Sequence, residues 1–284
     1  MERRLRELMP GTAGPFALVK EAMEYSLFAP GKRIRPILCL AASEACGGDP
    51  EAALTFGCAL EMIHTYTLIH DDLPAMDNDD LRRGRPSNHV VYGEDQALLA
   101  GCGLLTMAYE VMAGAGQTGL VDPAVATRII AETSQAIGWA GTMGGQSLDM
   151  IFTKRGDATL EELELMEFAK TARLLITAIR NGALSAGADA NTLAKLTVFG
   201  EKIGLAFQVA DDLLDVTADE GKLGKPVGSD ARQGKTTYAD RLGLEGAREL
   251  LAKLLHDALA AIGDLDAKAE ALRAIARFIV ERTY

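Results

Sequence analysis

Aromatic residues make up only 5% of this 284-residue chain, and one of them is its sole tryptophan. With apolar residues at 48% of the total, its core must be packed by Ala, Leu and Ile, as expected for helices. Histidine is also scarce, at four residues, which leaves few nitrogen ligands for a histidine-built metal centre. The four cysteines, Cys39, Cys46, Cys58 and Cys102, show no C-x-x-C spacing and sit in apolar stretches. That pattern predicts buried, reduced thiols. Residues 1–11 are charged and lack the apolar core of a secretory signal. The longest apolar run, 97–108, is too short to span a bilayer and reads as a buried helix. Positive charge is in deficit: the net charge is −11, which argues against nucleic acid or an anionic membrane as the main partner. Low-complexity tracts, fixed-period repeats and convincing alternating strands are missing. The expectation is one all-α domain over 1–284, working in the cytoplasm.

Helical periodicity recurs over 16–28, 37–46, 50–72, 97–113, 123–143, 160–186, 191–216 and 244–284. Breaks are predicted at Pro30-Gly31, 47–50, 73–88, 113–119, Gly144-Gly145 and 220–236. Thr159 is placed to cap the charged turn that follows it.

Acidity is concentrated in two places. Asp71-Asp72-Leu73-Pro74-Ala75-Met76-Asp77 and Asp211-Asp212-Leu213-Leu214-Asp215 lie 140 residues apart. With Asp79 and Asp80 they hold eight acids, most of the −11 excess. Adjacent carboxylates repel and resist burial unless a cation shares the site. On an ideal helix with Asp211 at 0°, Asp215 falls at about 40°, Gln208 at about 60° and Asp212 at about 100°. Apolar side chains fill the rest of that wheel, so the stripe looks into a polar cavity. On the first cluster's wheel, His64 and Glu61 join Asp71 and Asp72 on one side, with Leu68 interrupting, while His70 points away and reads as structural. Pro74 ends that helix, and 77–80 can fold back toward it. All-oxygen ligands of this kind suit Mg²⁺, which fills its shell with water and substrate phosphate.

Basic residues flank the acids. Lys32, Arg33 and Arg35 follow Pro30-Gly31, and Arg82, Arg83 and Arg85 surround Gly84. Guanidinium forks and ammonium groups match phosphate oxygens. Lys225 and Lys235 lie in or beside the Gly-rich stretch 221–234, which could close over a bound diphosphate. The expected substrate class is a diphosphate.

These motifs, taken in order, resemble the trans-type short-chain prenyl diphosphate synthases, the farnesyl and geranylgeranyl diphosphate synthase family. The likeness runs from Gly31-Lys32-Arg33-Ile34-Arg35-Pro36 through Ile63-His64-Thr65-Tyr66-Thr67-Leu68-Ile69-His70-Asp71-Asp72 and Asp79-Asp80-Leu81-Arg82-Arg83-Gly84. It continues in Gly144-Gly145-Gln146, Lys170-Thr171, Phe207-Gln208-Val209-Ala210-Asp211-Asp212, Leu223-Gly224-Lys225 and Gly234-Lys235-Thr236-Thr237-Tyr238. It implies a single large helical bundle of the isoprenoid synthase type, with a central cavity between two Asp-rich helices. It also implies Mg²⁺ ions, more than one per site, on Asp71, Asp72, Asp77, Asp211, Asp212 and Asp215. Catalytic roles fall to Asp71, Asp72, Asp211, Lys170, Thr171 and Gln208. Arg82, Lys170, Lys225 and Lys235 would stabilise the departing allylic diphosphate, with Thr171 and Gln208 facing the carbocation. Gly31, Lys32, Arg35, His64 and Arg83 would hold isopentenyl diphosphate. Gln146 and Asp149 are assigned local packing or supporting hydrogen bonds. A homodimer is implied as well.

Two positions depart from the family pattern, Pro30 before the Gly-Lys pair and Cys102 where Asp is common. In the family a bulky residue four or five places before the first cluster tends to shorten the product. Tyr66 therefore favours farnesyl diphosphate, with geranylgeranyl diphosphate the alternative, although the ideal wheel turns small Thr67 nearer the stripe. A class I terpene cyclase would carry a different second acidic site and more aromatics to shield cations. A metallophosphohydrolase would need more histidines than His64, His89 and His256 supply alongside His70. A non-catalytic partner subunit would not need every motif intact.

Overall fold

The computed structural model describes residues 1–11, 14–217 and 235–281; Lys225 and the rest of 218–234 lie outside them. In chain order the helices are α1 (Glu2–Leu8), α2 (Ala17–Leu27), α3 (Ile34–Ala45), α4 (Pro50–Asp71), α5 (Asn88–Tyr92), α6 (Glu94–Gln117), α7 (Pro123–Ile137), α8 (Thr142–Arg155) and α9 (Leu160–Glu167). One π-helical turn, Phe168–Ala172, leads into α10 (Arg173–Ser185), followed by α11 (Ala190–Thr217), α12 (Tyr238–Ala261) and α13 (Glu270–Glu281). The all-α expectation holds.

Local chemistry sets many of the boundaries. Pro50 and Pro123 occupy first-turn positions of α4 and α7, where a missing N–H costs nothing, and Asp49 and Asp122 cap those helices through Glu51 N and Ala124 N. Thr159 caps α9 as expected, in a reciprocal box with Glu162, and Thr237 with Asp240 does the same for α12. Burial then assembles the bundle. Helix α4 is its axis, packed against α3, α6 and α10, with Phe56, Leu60, Met62 and Ile63 fully buried. Each such side chain contributes roughly 1.5–3 kcal/mol on transfer from water. A second, smaller core joins α8, α9, α11 and α12 around Phe152, Leu163, Val209 and Tyr238.

Several expectations change: α6 runs on to Gln117 through the break expected from 113, and the helix expected over 244–284 is split into α12 and α13. The predicted helix over 123–143 breaks after Ile137, and Gly144-Gly145 lie within the first turns of α8 rather than in a loop. Gly145 is there for close packing, since a Cβ would stand 2.3 Å from Lys170 N. The helix over 160–186 is interrupted by the π turn that carries Lys170 and Thr171. The loop over 73–88 contains a two-residue hairpin, Leu81–Arg82 (β1) with Arg85–Pro86 (β2). Its turn uses positive φ at Arg83 (55°) and Gly84 (76°), the geometry of a tight hairpin turn. Finally, the apolar run 97–108 belongs to the longer α6, whose opposite face is uncovered by this chain: Leu98 is 49% and Leu99 52% exposed. Helices α4 and α6 are each long and apolar enough to cross a membrane by length and composition, but 78% of the most apolar window of α4 is buried against 39% of that of α6.

Candidate active site

The first acidic wall is the C-terminal end of α4. Asp77 N donates to Asp71 O at 2.9 Å, so the turn after Pro74 folds back as anticipated. Asp72 is buried and accepts both Nε, at 2.9 Å, and Nη2 of Arg82, which also reaches Asp79 at 3.2 Å. The hairpin holds Arg82 in that position. Burial, with Asp77 and Asp72 nearby, pushes the Asp71 carboxyl up to about 6, while Lys170 and Arg82 pull it back. A carboxylate this crowded favours a cation beside it.

The second wall is α11. Asp212 is buried, accepting from Gln208 Nε2 at 2.9 Å and from Tyr238 N, the first residue of α12, at 2.8 Å. Asp211 is exposed at the surface of the same turn, and Asp215 is half-buried one turn on.

Between the walls stands the π turn. A widened turn of this type recurs at functional sites because it re-aims side chains out of helical register. Lys170 Nζ hydrogen-bonds Asp149 of α8, and Thr171 Oγ1 donates to Glu167 at 3.3 Å. Burial opposes the Lys170 charge, yet Asp149, Asp71 and Glu167 outweigh it and hold the ammonium above its ordinary range. Glu167 behaves oppositely: burial, with Asp212 and Asp149 near, pushes it up to about 8. Two cavities meet here. One of about 100 Å³ is lined by Glu167, Lys170, Thr171, Gln208, Asp212 and Lys235. The other, about 290 Å³, is lined by Asp77, Lys154, Asp149 and Lys235 among others. Asp149 and Lys235 line both, so the cavity bordered by Asp77 of the first wall adjoins the one bordered by Asp212 of the second.

Cations collect around Glu61 and His64, further back along α4. Arg35 is pushed down to about 10 by burial and by Arg83, against Glu61, and its Nε has no hydrogen-bond partner. Burial also lowers Arg83, which lies near Arg33 and Arg82. The Arg83 guanidinium rests where a Cβ on Gly31 would be, 2.6 Å from Nη1. His64 is held well below its usual range by burial and by Arg35, Arg83, Arg82 and Arg33, and is neutral at pH 7. Crowded cations and an unpaired buried N–H suit an anionic ligand. Arg33 differs: Glu2, Glu61 and the Leu27 and Ala29 carbonyls take its donors, so it is a structural clasp at the start of α3. Lys32 is exposed at the rim of the same loop.

Comparison with known proteins agrees. The polyprenyl synthetase family model matches residues 16–275. The chain belongs to the polyprenyl synthetase family. It is 46% identical over 264 residues to a geranylgeranyl diphosphate synthase of Cyanophora paradoxa, covering 93% of this chain and 87% of that protein. A farnesyl diphosphate synthase of Geobacillus stearothermophilus is 44% identical, covering 100% of this chain and 95% of the relative. The crystal structure of a geranylgeranyl pyrophosphate synthetase from Pyrococcus horikoshii superposes with a TM-score of 0.89 at 32% identity, over 99% of this chain and 94% of that one. An FPP/GFPP synthase from Zymomonas mobilis gives 0.86 at 35%, over 98% and 94%.

In this polyprenyl synthetase the predicted residues fall into two groups. Asp77, Lys170, Thr171, Gln208, Asp212 and Lys235 line the adjoining cavities, with Asp71 close to Lys170 and Asp77; Arg35, His64 and Arg83 form the cationic cluster beside Gly31, and Arg82 joins it to Asp72. Lys225 lies outside the described residues. Among the described residues no three acids or histidines converge to ligate an ion by themselves. Sequence reasoning missed Glu167 and understated Asp149. Glu167 stands four residues before Thr171, a spacing that faces one helical side, but the acidic run 161–167 disguised it as solvated surface.

Proposed function

We propose that this prenyl diphosphate synthase condenses isopentenyl diphosphate head-to-tail with dimethylallyl and then geranyl diphosphate, releasing farnesyl diphosphate as its main product. The observation that supports it most is the pair of adjoining cavities bordered by Asp77 and Asp212, with Lys170 lining the second and crowded cations around His64 nearby. Asp71, Asp72, Asp77, Asp211, Asp212 and Asp215 are the residues that would hold Mg²⁺. When bound, Mg²⁺ would neutralise the allylic diphosphate and the charge that grows on it as it leaves.

This chain's own groups carry the remaining work. Lys170, Lys235 and Arg82 stabilise the same leaving diphosphate, with Lys225 assigned there from its motif. Breaking the C–O bond leaves an allylic cation, and the Thr171 hydroxyl and Gln208 carbonyl offer neutral dipoles that favour it without trapping it. Arg35, Arg83, Lys32 and neutral His64, packed beside Gly31, grip isopentenyl diphosphate. Its alkene attacks to form the 1′–4 C–C bond, and the proton lost afterwards goes to the released diphosphate. Tyr66, buried on α4 one turn and a half before Asp71, forms the floor that stops growth at C15.

A second copy of the chain fits the uncovered apolar face of α6, making the working unit a homodimer. Only Cys39 and Cys58 are buried as expected, Cys46 being half-buried and Cys102 exposed; free thiols at all four support a reducing cytoplasmic setting. The deciding experiment incubates purified protein with Mg²⁺, isopentenyl diphosphate and dimethylallyl or geranyl diphosphate, and sizes products after dephosphorylation. Farnesol is expected; geranylgeraniol as main product would move the floor below Tyr66, and no condensation would remove the reading. Light scattering of the same preparation should give a dimer mass.

A further inference from the structure

Tyr66 is not held in place by α4 alone. Its ring packs edge-on against His70, with centroids 4.8 Å apart and planes at 79°. The two residues are one turn apart and share a face of α4. His70 in turn is tied to the neighbouring helix: Nε2 lies 3.1 Å from the Leu98 carbonyl in the first turns of α6. A carbonyl only accepts, so Nε2 carries the proton. The imidazole reaches α6 because residue 101 there is glycine. A Cβ at that position would stand 2.3 Å from Nε2 and 2.5 Å from Cδ2 of His70.

We propose that His70, seated on Gly101 and bonded to Leu98 O, is a positioning residue that locks the Tyr66 ring, so that product length is set by a stack spanning α4 and α6. The inference rests on the Tyr66 floor proposed above. An aromatic ring at the end of a growing hydrocarbon must resist being pushed aside. Within the helix Tyr66 has rotamer freedom, and the edge contact with an immobilised imidazole removes it. Without the stack, the ring can swing away and admit another isoprene unit.

The test compares the full chain with His70→Ala, Gly101→Ala, Tyr66→Ala and the two double variants containing Tyr66→Ala, using Mg²⁺, isopentenyl diphosphate and geranyl diphosphate. The C20:C15 product ratio is read by chromatography after dephosphorylation. His70→Ala and Gly101→Ala should each raise the ratio by roughly fivefold, the weight of one aromatic edge contact. In the Tyr66→Ala background neither should add anything, because both act through that ring. If Tyr66→Ala lengthens products while both supports leave them unchanged, the lock is wrong and the floor stands. If Tyr66→Ala itself changes nothing, the floor fails and the lock with it. Shifts that persist undiminished in the double variants also overturn the lock. Gly101→Ala changes no residue of α4, and His70→Ala introduces no clash, so misfolding of one variant does not remove the test.

Discussion

The two acidic walls look alike in sequence and differ in how the protein treats them. In each Asp-Asp pair the second residue is turned inward: Asp72 is 2% and Asp212 3% exposed, while Asp71 is half-buried and Asp211 exposed. Asp72 is balanced by a full charge, the Arg82 guanidinium delivered by the hairpin. Asp212 accepts from the Gln208 amide and from the backbone N–H of Tyr238 that begins α12. The first wall is thus tied to the hairpin, and the second doubles as an anchor for the next helix. The lesson is that each doublet divides its burial, one carboxylate tied to a neighbouring element and the other left more exposed.

Three substitutions sharpen or break this contrast. The largest effect belongs to the more exposed members. Asp71→Asn and Asp211→Asn should each lower kcat/KM by about 10³-fold or more, the scale of losing charge stabilisation in the transition state. Asp71→Asn should at the same time raise the Tm of the metal-free protein. The folded pKa of this acid is raised from 3.8 to about 6, so its ionisation costs stability above about pH 6 and nothing below 3.8. A lower Tm would show that Asp71 is structural after all. Next comes Asp212→Asn, where an amide nitrogen replaces one acceptor and faces a donor. Urea unfolding should show a loss of about 1–3 kcal/mol. No loss would show that Asp212 does not anchor α12.

The smallest effect is at Glu167. Its pKa rises from 4.5 to about 8 on folding, so the folded state binds the extra proton between those values. Its contribution to stability therefore falls steadily as pH climbs from 4.5 to about 8 and then levels off. Glu167→Gln should flatten that slope in a plot of Tm against pH and leave turnover near neutrality within severalfold. An unchanged slope would mean the carboxyl is ionised in the folded state.

Much of the site was legible beforehand. The apolar wheel around Asp211 and Asp215 announced a cavity, and the breaker at Pro74 announced the fold-back that brings Asp77 N onto Asp71 O. What the periodicity could not reveal was anything decided by contact between distant segments. The π turn at Lys170-Thr171 reads as ordinary helix, because one extra residue in a turn barely alters an apolar pattern. Gly144-Gly145 reads as a break, and only the nearness of Lys170 N shows that a glycine there serves helix packing. Arg33, Arg35 and Arg83 are equivalent in sequence, yet carbonyls and carboxylates saturate the first and leave the others without matching partners.

By itself the sequence determined the all-helical class, the two acid-bearing helices and the diphosphate chemistry, since these follow from side-chain period and charge spacing along one chain. Tertiary structure decided which aspartate of each pair is buried, which arginine is a clasp, and where Lys170 points. Those outcomes depend on desolvation and on donors arriving from other helices, and neither quantity exists until the bundle closes.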